Sequence, residues 1–162
     1  MSVDETQFLH VPLNINIQTA CSPKPPGPHW RGILIQAPRL VRFRRGTTVG
    51  NHGAFAAIPV CGYYLLDVPP RPTTKCMRLV AVDNRTCVFY SGEIVELDDN
   101  PDDPLPGEPS PPEKRQGLAA GGFFNPNLAD FVGLPVASAI YDVHVEFRGY
   151  RSNEVTIELV EA

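Results

Sequence analysis

Apolar and polar residues alternate most regularly near the C-terminal end of the chain. Across Ala139–Phe147, the residues Tyr141, Val143, Val145 and Phe147 fall on one side, and Asp142, His144 and Glu146 on the other. After Gly149 the alternation resumes, with Val155, Ile157 and Leu159 against Thr156 and Glu158. A period of two puts one face in a core and the other in water, so both stretches are expected as β-strands. Weaker runs follow the same logic. Val11, Leu13, Ile15 and Ile17 alternate with Pro12, Asn14 and Asn16, a first strand with proline marking a sheet edge. Residues 32–37 and 39–44 read as two short strands around Pro38, with Val41 and Phe43 inward and Arg42 and Arg44 outward. Residues 54–67 read as a buried strand interrupted at Pro59 or Gly62. Residues 77–82 and 87–97 form a hairpin over Asp83-Asn84-Arg85-Thr86, with Val82 opposite Cys87.

One helix is expected, near residues 126–132. Asn125 caps it, Pro126 takes its first position, and Leu128 and Phe131 share a face. Between these elements the chain has stiff punctuation. Residues 98–117 are dense in proline and aspartate and are expected as a mobile loop, longer than an ordinary connection needs. Residues 1–7 read as a loose tail. No internal repeat is present, and residues 1–162 are expected as a single domain.

Composition sharpens this reading. Eighteen prolines and thirteen glycines make up about a fifth of the 162 residues. Proline breaks helix interiors and cannot donate to a strand ladder, so short strands joined by stiff loops are favoured and long helices excluded. The net charge of −4 argues against a nucleic-acid partner. No apolar run approaches the ~20 residues a membrane span needs. The N-terminus, Met-Ser-Val-Asp-Glu-Thr-Gln, is acidic where a secretory leader is basic. A cytoplasmic address is therefore expected, or export without a cleaved signal peptide, unless the chain is a fragment of something larger. Under that address the four cysteines (Cys21, Cys61, Cys76, Cys87) are expected as free, mostly buried thiols. The hairpin register sets Cys76 far from Cys87, which leaves no geometry for a bridge between them. No CxxC occurs to suggest zinc.

The closing strands resemble those of immunoglobulin-like and fibronectin type III-like domains. In those folds a tyrosine near the start of the penultimate strand hydrogen-bonds back to the corner before it, two residues ahead of an inward position. Ala139-Ile140-Tyr141-Asp142-Val143 has that spacing. Ser152-Asn153-Glu154-Val155-Thr156-Ile157 looks like the entry to the final strand. The resemblance implies that Tyr141 is the corner residue and Val143 the inward one. Val143 stands where antibody domains carry cysteine, so the inter-sheet disulfide is absent, and Trp30 sits on a proline loop instead of mid-strand. The resemblance covers roughly residues 134–160. The fold class expected is all-β, an antiparallel immunoglobulin-like β-sandwich with one short helix and long proline-rich loops.

Chemistry is sparser than structure. Asp98, Asp99, Asp102 and Asp103, with Asn100, supply hard oxygens of the kind calcium prefers. Their spacing is not that of an EF-hand, and a solvated loop is the simpler reading. Arg39, Arg42, Arg44 and Arg45 form a basic strip in which Arg42 and Arg44 share a strand face. Pairing of that strip with the acidic loop, within the chain or between copies, is the preferred use of both. His29-Trp30, Tyr63-Tyr64, Phe89-Tyr90 and Phe123-Phe124 are paired aromatics, one of each expected to face outward as a platform for a protein or a sugar ring. Trp30, Tyr64 and Phe124, with Arg42 and Arg44, are the partner-binding candidates. No GxSxG, HExxH or glycine-rich phosphate loop occurs, and the histidines are scattered. No catalytic residue is assigned and no cofactor is expected, calcium apart. The expected function is a non-catalytic binding or assembly module, contacting a protein partner or itself through a sheet edge, an apolar face or loops. The alternative is a lectin-like carbohydrate binder assisted by calcium.

Overall fold

The computed structural model describes residues 5–49, 53–67, 76–94 and 119–162. Its strands are β1 (Gly32–Gln36), β2 (Leu40–Phe43), β3 (Cys61–Asp67), β4 (Met77–Asp83), β5 (Phe89–Ile94), β6 (Ala119–Phe124), β7 (Ala139–Phe147), β8 (Tyr150–Arg151) and β9 (Val155–Glu161). One helix, α1 (Leu128–Phe131), precedes β7. A three-stranded sheet runs in the order β1-β3-β6, and a larger one in the order β2-β9-β7-β4-β5, with β8 beside β7. Every strand pairing is antiparallel except that of β2 with β9. The described residues are thus mostly β, in two mostly antiparallel sheets.

Alternation is the cause. Tyr141, Val143, Val145 and Phe147 of β7 are buried together with Ile157 and Leu159 of β9, as their period of two requires. They join Leu79 and Ala81 of β4 and meet Ile33, Ile35, Leu66 and Phe124 of the three-stranded sheet in one hydrophobic cluster. Each large side chain buried there contributes about 1.5–3 kcal/mol. Gly62 makes room for the Phe124 ring, and Gly92 of β5 lets the backbone of α1 approach at Phe131. His144 departs from the simple pattern. It lies on the outward side of β7, yet it is buried, with Nε2 3.1 Å from Glu146 Oε1.

The expected strand at residues 11–17 is not formed. Asn14 adopts φ 62°, which breaks the extended path. Its N–H donates to Asn125 O at 2.7 Å and its Oδ1 accepts from Asn127 N at 2.9 Å, so the segment is irregular and tied down. The expected strand at 54–67 is shorter, Cys61–Asp67, with Pro59 in an isolated bridge to Asn127. The helix starts later than expected because its cap is Asn127. That side chain accepts from Ala129 N and Ile58 N and donates to Ala56 O, all within 3.2 Å. In the β4–β5 hairpin Val82 faces Phe89, and Cys87 sits in the turn at φ 61° with its N–H on Asp83 O. Strand β6 was not anticipated by periodicity.

The cysteines also depart from expectation. Cys21 and Cys61 are joined in a disulfide with Cα atoms 5.8 Å apart. Cys76 and Cys87 are free, the first half-buried and the second exposed, since the wider turn takes Cys87 out of its strand. Part of the expected tail is ordered too. Glu5–Phe8 forms a 3-10 turn, and Phe8 packs with Val11 against the disulfide. The expected loop at 98–117 and the turn at 69–74 lie outside the described residues.

Candidate functional site

The surface with the least ordinary composition is the outward side of the three-stranded sheet. Registers place Leu34 of β1, Tyr63 of β3 and Phe123 of β6 side by side. Tyr63 and Phe123 lie 5.0 Å apart between ring centroids, and Trp30 stacks on Tyr63 at 6.2 Å and 21°. Trp30 reaches that position over Gly32, where φ is +149° and a Cβ would stand 3.0 Å from the indole ring. Asp67 is the one charged strand residue on this face, at its end, and it pairs with Arg31 at 3.0 Å.

Residues 5–31 form an arm across this sheet. Gln7 bonds Gln36 at the end of β1, Cys21 is bridged to Cys61 of β3, and Asn14 bonds Asn125 just beyond β6. The Asn125 side chain donates to both Ile15 O (3.0 Å) and Ile17 O (2.6 Å), holding that part of the arm beside the end of β6. The arm leaves its own apolar residues outward: Ile15 and Ile17 are each 47% exposed and Leu9 69%. Aromatic row, arm and the edge strand β6 therefore adjoin one another.

Of the partner-binding candidates, only Trp30 belongs to this surface. Phe124 is 1% exposed, and Tyr64 stands edge-on to Phe147 at 5.6 Å, so both face the core. Their neighbours Tyr63 and Phe123 take the outward positions. Periodicity could not choose between members of each pair, because the flanking residues are apolar on both sides. Arg42 of β2 and Arg44, just beyond the end of that strand, stand exposed, apart from the aromatic row. They line an open groove of about 320 Å³ with Thr47 and Phe55, and their guanidinium groups have no ion-pair partner among the described residues. Arg45 is engaged: its Nε lies 3.1 Å from Glu161 Oε1, and its Nη2 donates to Val136 O. That hydrogen bond lowers the Glu161 carboxyl below its usual range and raises Arg45. Asp98, Asp99, Asp102 and Asp103 lie outside the described residues.

Little else gathers chemistry. Among the described residues no three His, Cys, Asp or Glu side chains come together as a metal site. A second groove, of about 560 Å³, runs between β1 and the β7–β9 pair, lined by Ile35, Ala37, Arg39, Ile140, Asn153 and Glu158. Among those residues no helix is long and apolar enough to cross a membrane. Tyr141 is fully buried and its hydroxyl meets no hydrogen-bond partner among the described residues. Burial, with Tyr90 and Asp83 nearby, pushes its pKa up to about 12. The chain matches no protein-family model, no curated protein and no solved structure.

Proposed function

We propose that the protein is a non-catalytic binding module, an immunoglobulin-like β-sandwich that docks another polypeptide where the arm adjoins the edge strand β6 of its three-stranded sheet. Support for the architecture comes from strand order. In immunoglobulin domains strands A, B and E share one sheet, and G, F, C and C′ follow one another in the other. Here β1-β3-β6 and β9-β7-β4-β5 run in those orders. Tyr141 departs from the family, since its hydroxyl lacks the corner hydrogen bond. The Cys21–Cys61 bridge supports an oxidising compartment as the address, because disulfides persist there.

The observation that carries the docking reading is the exposure of Ile15 and Ile17 beside a face whose strands bear a single, already paired, charge. Apolar surface gathered in one place is the usual mark of a partner site. Nothing favours the carbohydrate alternative: Trp30 is packed against Gly32 and Tyr63, and the calcium candidates lie outside the described residues. A photo-crosslinking residue at Ile17 tests the reading against the same probe at Ser91, on the larger sheet. In extract of the native source, position 17 is expected to give a discrete crosslinked polypeptide and position 91 none. Equal labelling from both, or none from either, removes the proposal.

A further inference from the structure

We propose that the outer edge of β6, which no strand among the described residues pairs, joins β6 of a second copy, so that two three-stranded sheets meet across a two-fold axis. This rests on the docking reading above and names its partner. The direction of the edge groups follows from the ladder on the other side. Val60 N donates to Pro126 O and Leu128 N to Ile58 O. The register runs unbroken from Asp67↔Ala119 through Gly62↔Phe124 to Pro59↔Asn127. Backbone groups of an antiparallel strand point alternately to either side. Even-numbered residues of β6 therefore serve β3, and the N–H and C=O groups of Ala119, Gly121 and Phe123 point away from it. Asn125 O, next in that odd series, accepts Asn14 N on the outer side, as the alternation requires. Beyond that contact no described residue bonds the outer edge of β6.

Such an edge needs an extended strand, and natural sheets blunt edges that are not meant to be paired. The opposite edge of the same sheet is blunted: Asn153 Oδ1 accepts from Ile35 N at 2.8 Å and its Nδ2 donates to Ile35 O at 3.0 Å. In the larger sheet, β2 is four residues long and carries Arg42, and β5 carries Glu93 with α1 seated on Gly92. Ala119-Ala120-Gly121-Gly122-Phe123-Phe124 has neither charge nor proline.

Self-pairing fits this strand in charge and in size. Opposed residues in a continuous sheet share a face, so the register centred on Gly121 sets Gly121 against its own copy and Phe123 against Ala119. The outer groups of these three residues then satisfy one another. Each Phe123 ring meets a methyl group, and no charge meets a like charge in a molecule of net charge −4. The two aromatic rows become one, since Phe123 is the last member of each.

Light scattering on the purified full chain over a wide dilution range tests this. The expected mass is twice 17.8 kDa. The variants A119K/F123K and A119E/F123E are each expected to be monomers, with unchanged circular dichroism, and to form a mixed dimer when combined. Should either double variant misfold, Ala119→Pro, at an exposed position, removes an outward N–H without touching the β3 ladder and is expected to be a monomer. Self-pairing is overturned by a monomeric wild type, by charged variants that stay dimeric, or by a mixture that does not associate. A monomer that still crosslinks from Ile17 to another polypeptide removes the second copy and leaves the docking reading; a monomer without that crosslink removes both.

Discussion

On the outward side of the larger sheet, Glu93, Arg78 and Glu146 stand in register across β5, β4 and β7, and Asp142 accepts from Thr156 Oγ1 at 2.8 Å. On the outward side of the three-stranded sheet the corresponding row is Leu34, Tyr63 and Phe123. Both sheets turn their other side into one core. An antiparallel sheet leaves one face to water when that face is polar, and the larger sheet does so. The smaller sheet cannot, and the chain fastens the arm across its Gln36, Cys61 and Asn125 end. The outward row is half-buried, and Cys61 of that face is fully buried beneath the arm. The contrast separates a solvated face, whose residues are nearly interchangeable, from a covered one that depends on a few fastenings.

Removing the strongest fastening should have the largest effect. The Cys21–Cys61 bridge closes a sequence separation of 40 residues. In the chain-entropy picture a loop of that size is worth about 4 kcal/mol. The double substitution of Cys21 and Cys61 by Ser is expected to lower the unfolding free energy by that order in a denaturant titration. It should also speed amide exchange in residues 5–22 without speeding it in β7. A loss below about 0.5 kcal/mol, within the range of an ordinary surface change, with the arm still protected, would mean that Asn14 and Asn125 hold it unaided, and the contrast in fastening would fail.

The inner side of β7 offers a smaller test. Tyr141 faces the core between the outward positions Ile140 and Asp142, and its hydroxyl is buried without a partner among the described residues. A tyrosine corner would make that hydroxyl stabilising. A buried unsatisfied hydroxyl instead costs about 1–3 kcal/mol. Tyr141→Phe is therefore expected to raise stability by about 1 kcal/mol, the lower end of that range. The pH dependence has a definite sign. A tyrosine whose pKa rises from 10.0 to about 12 on folding contributes stability that is complete below pH 10 and lost as pH climbs toward 12. The alkaline decline of the wild type across that window should flatten in Tyr141→Phe. A destabilised variant would restore the corner reading.

Legibility in the sequence followed the same division. β7 and β9 alternate cleanly because their outward positions face water, and their bounds were readable almost to the residue. The three-stranded sheet is apolar on both sides, so Tyr63-Tyr64 and Phe123-Phe124 carry no parity, and the candidates Tyr64 and Phe124 prove to be the inward members. β6 was hidden by Gly121 and Gly122, whose close approach to Tyr64 serves the sheet while weakening any strand signal. The arm imitates a strand at Val11, Leu13, Ile15 and Ile17, and only the contacts of Asn14 with Asn125 and Asn127 reveal it as a strap. A disulfide between Cys21 and Cys61 depends on that strap's path, which no spacing encodes.

The smallest effect belongs to the solvated face. Arg78 is exposed between Glu93 and Glu146, and its Nη2 makes a 3.4 Å hydrogen bond to Ser91 Oγ. Exposed pairs of this kind contribute about 0–1 kcal/mol, because water screens them and long side chains lose freedom in forming them. Arg78→Ala is therefore expected to shift the unfolding free energy by no more than about 0.5 kcal/mol. Added salt should shrink even that difference, since exposed charges are screened beyond a Debye length of about 8–10 Å. The matching change on the other face, Leu34→Ser, removes a half-buried side chain from the aromatic row and should cost clearly more at any salt concentration. Equal losses from the two substitutions would mean that both outward faces are solvated alike and that the arm covers nothing of consequence. Unequal losses in the expected order would leave the charged sheet as the surface facing water and the aromatic one as the surface the molecule has reason to keep covered.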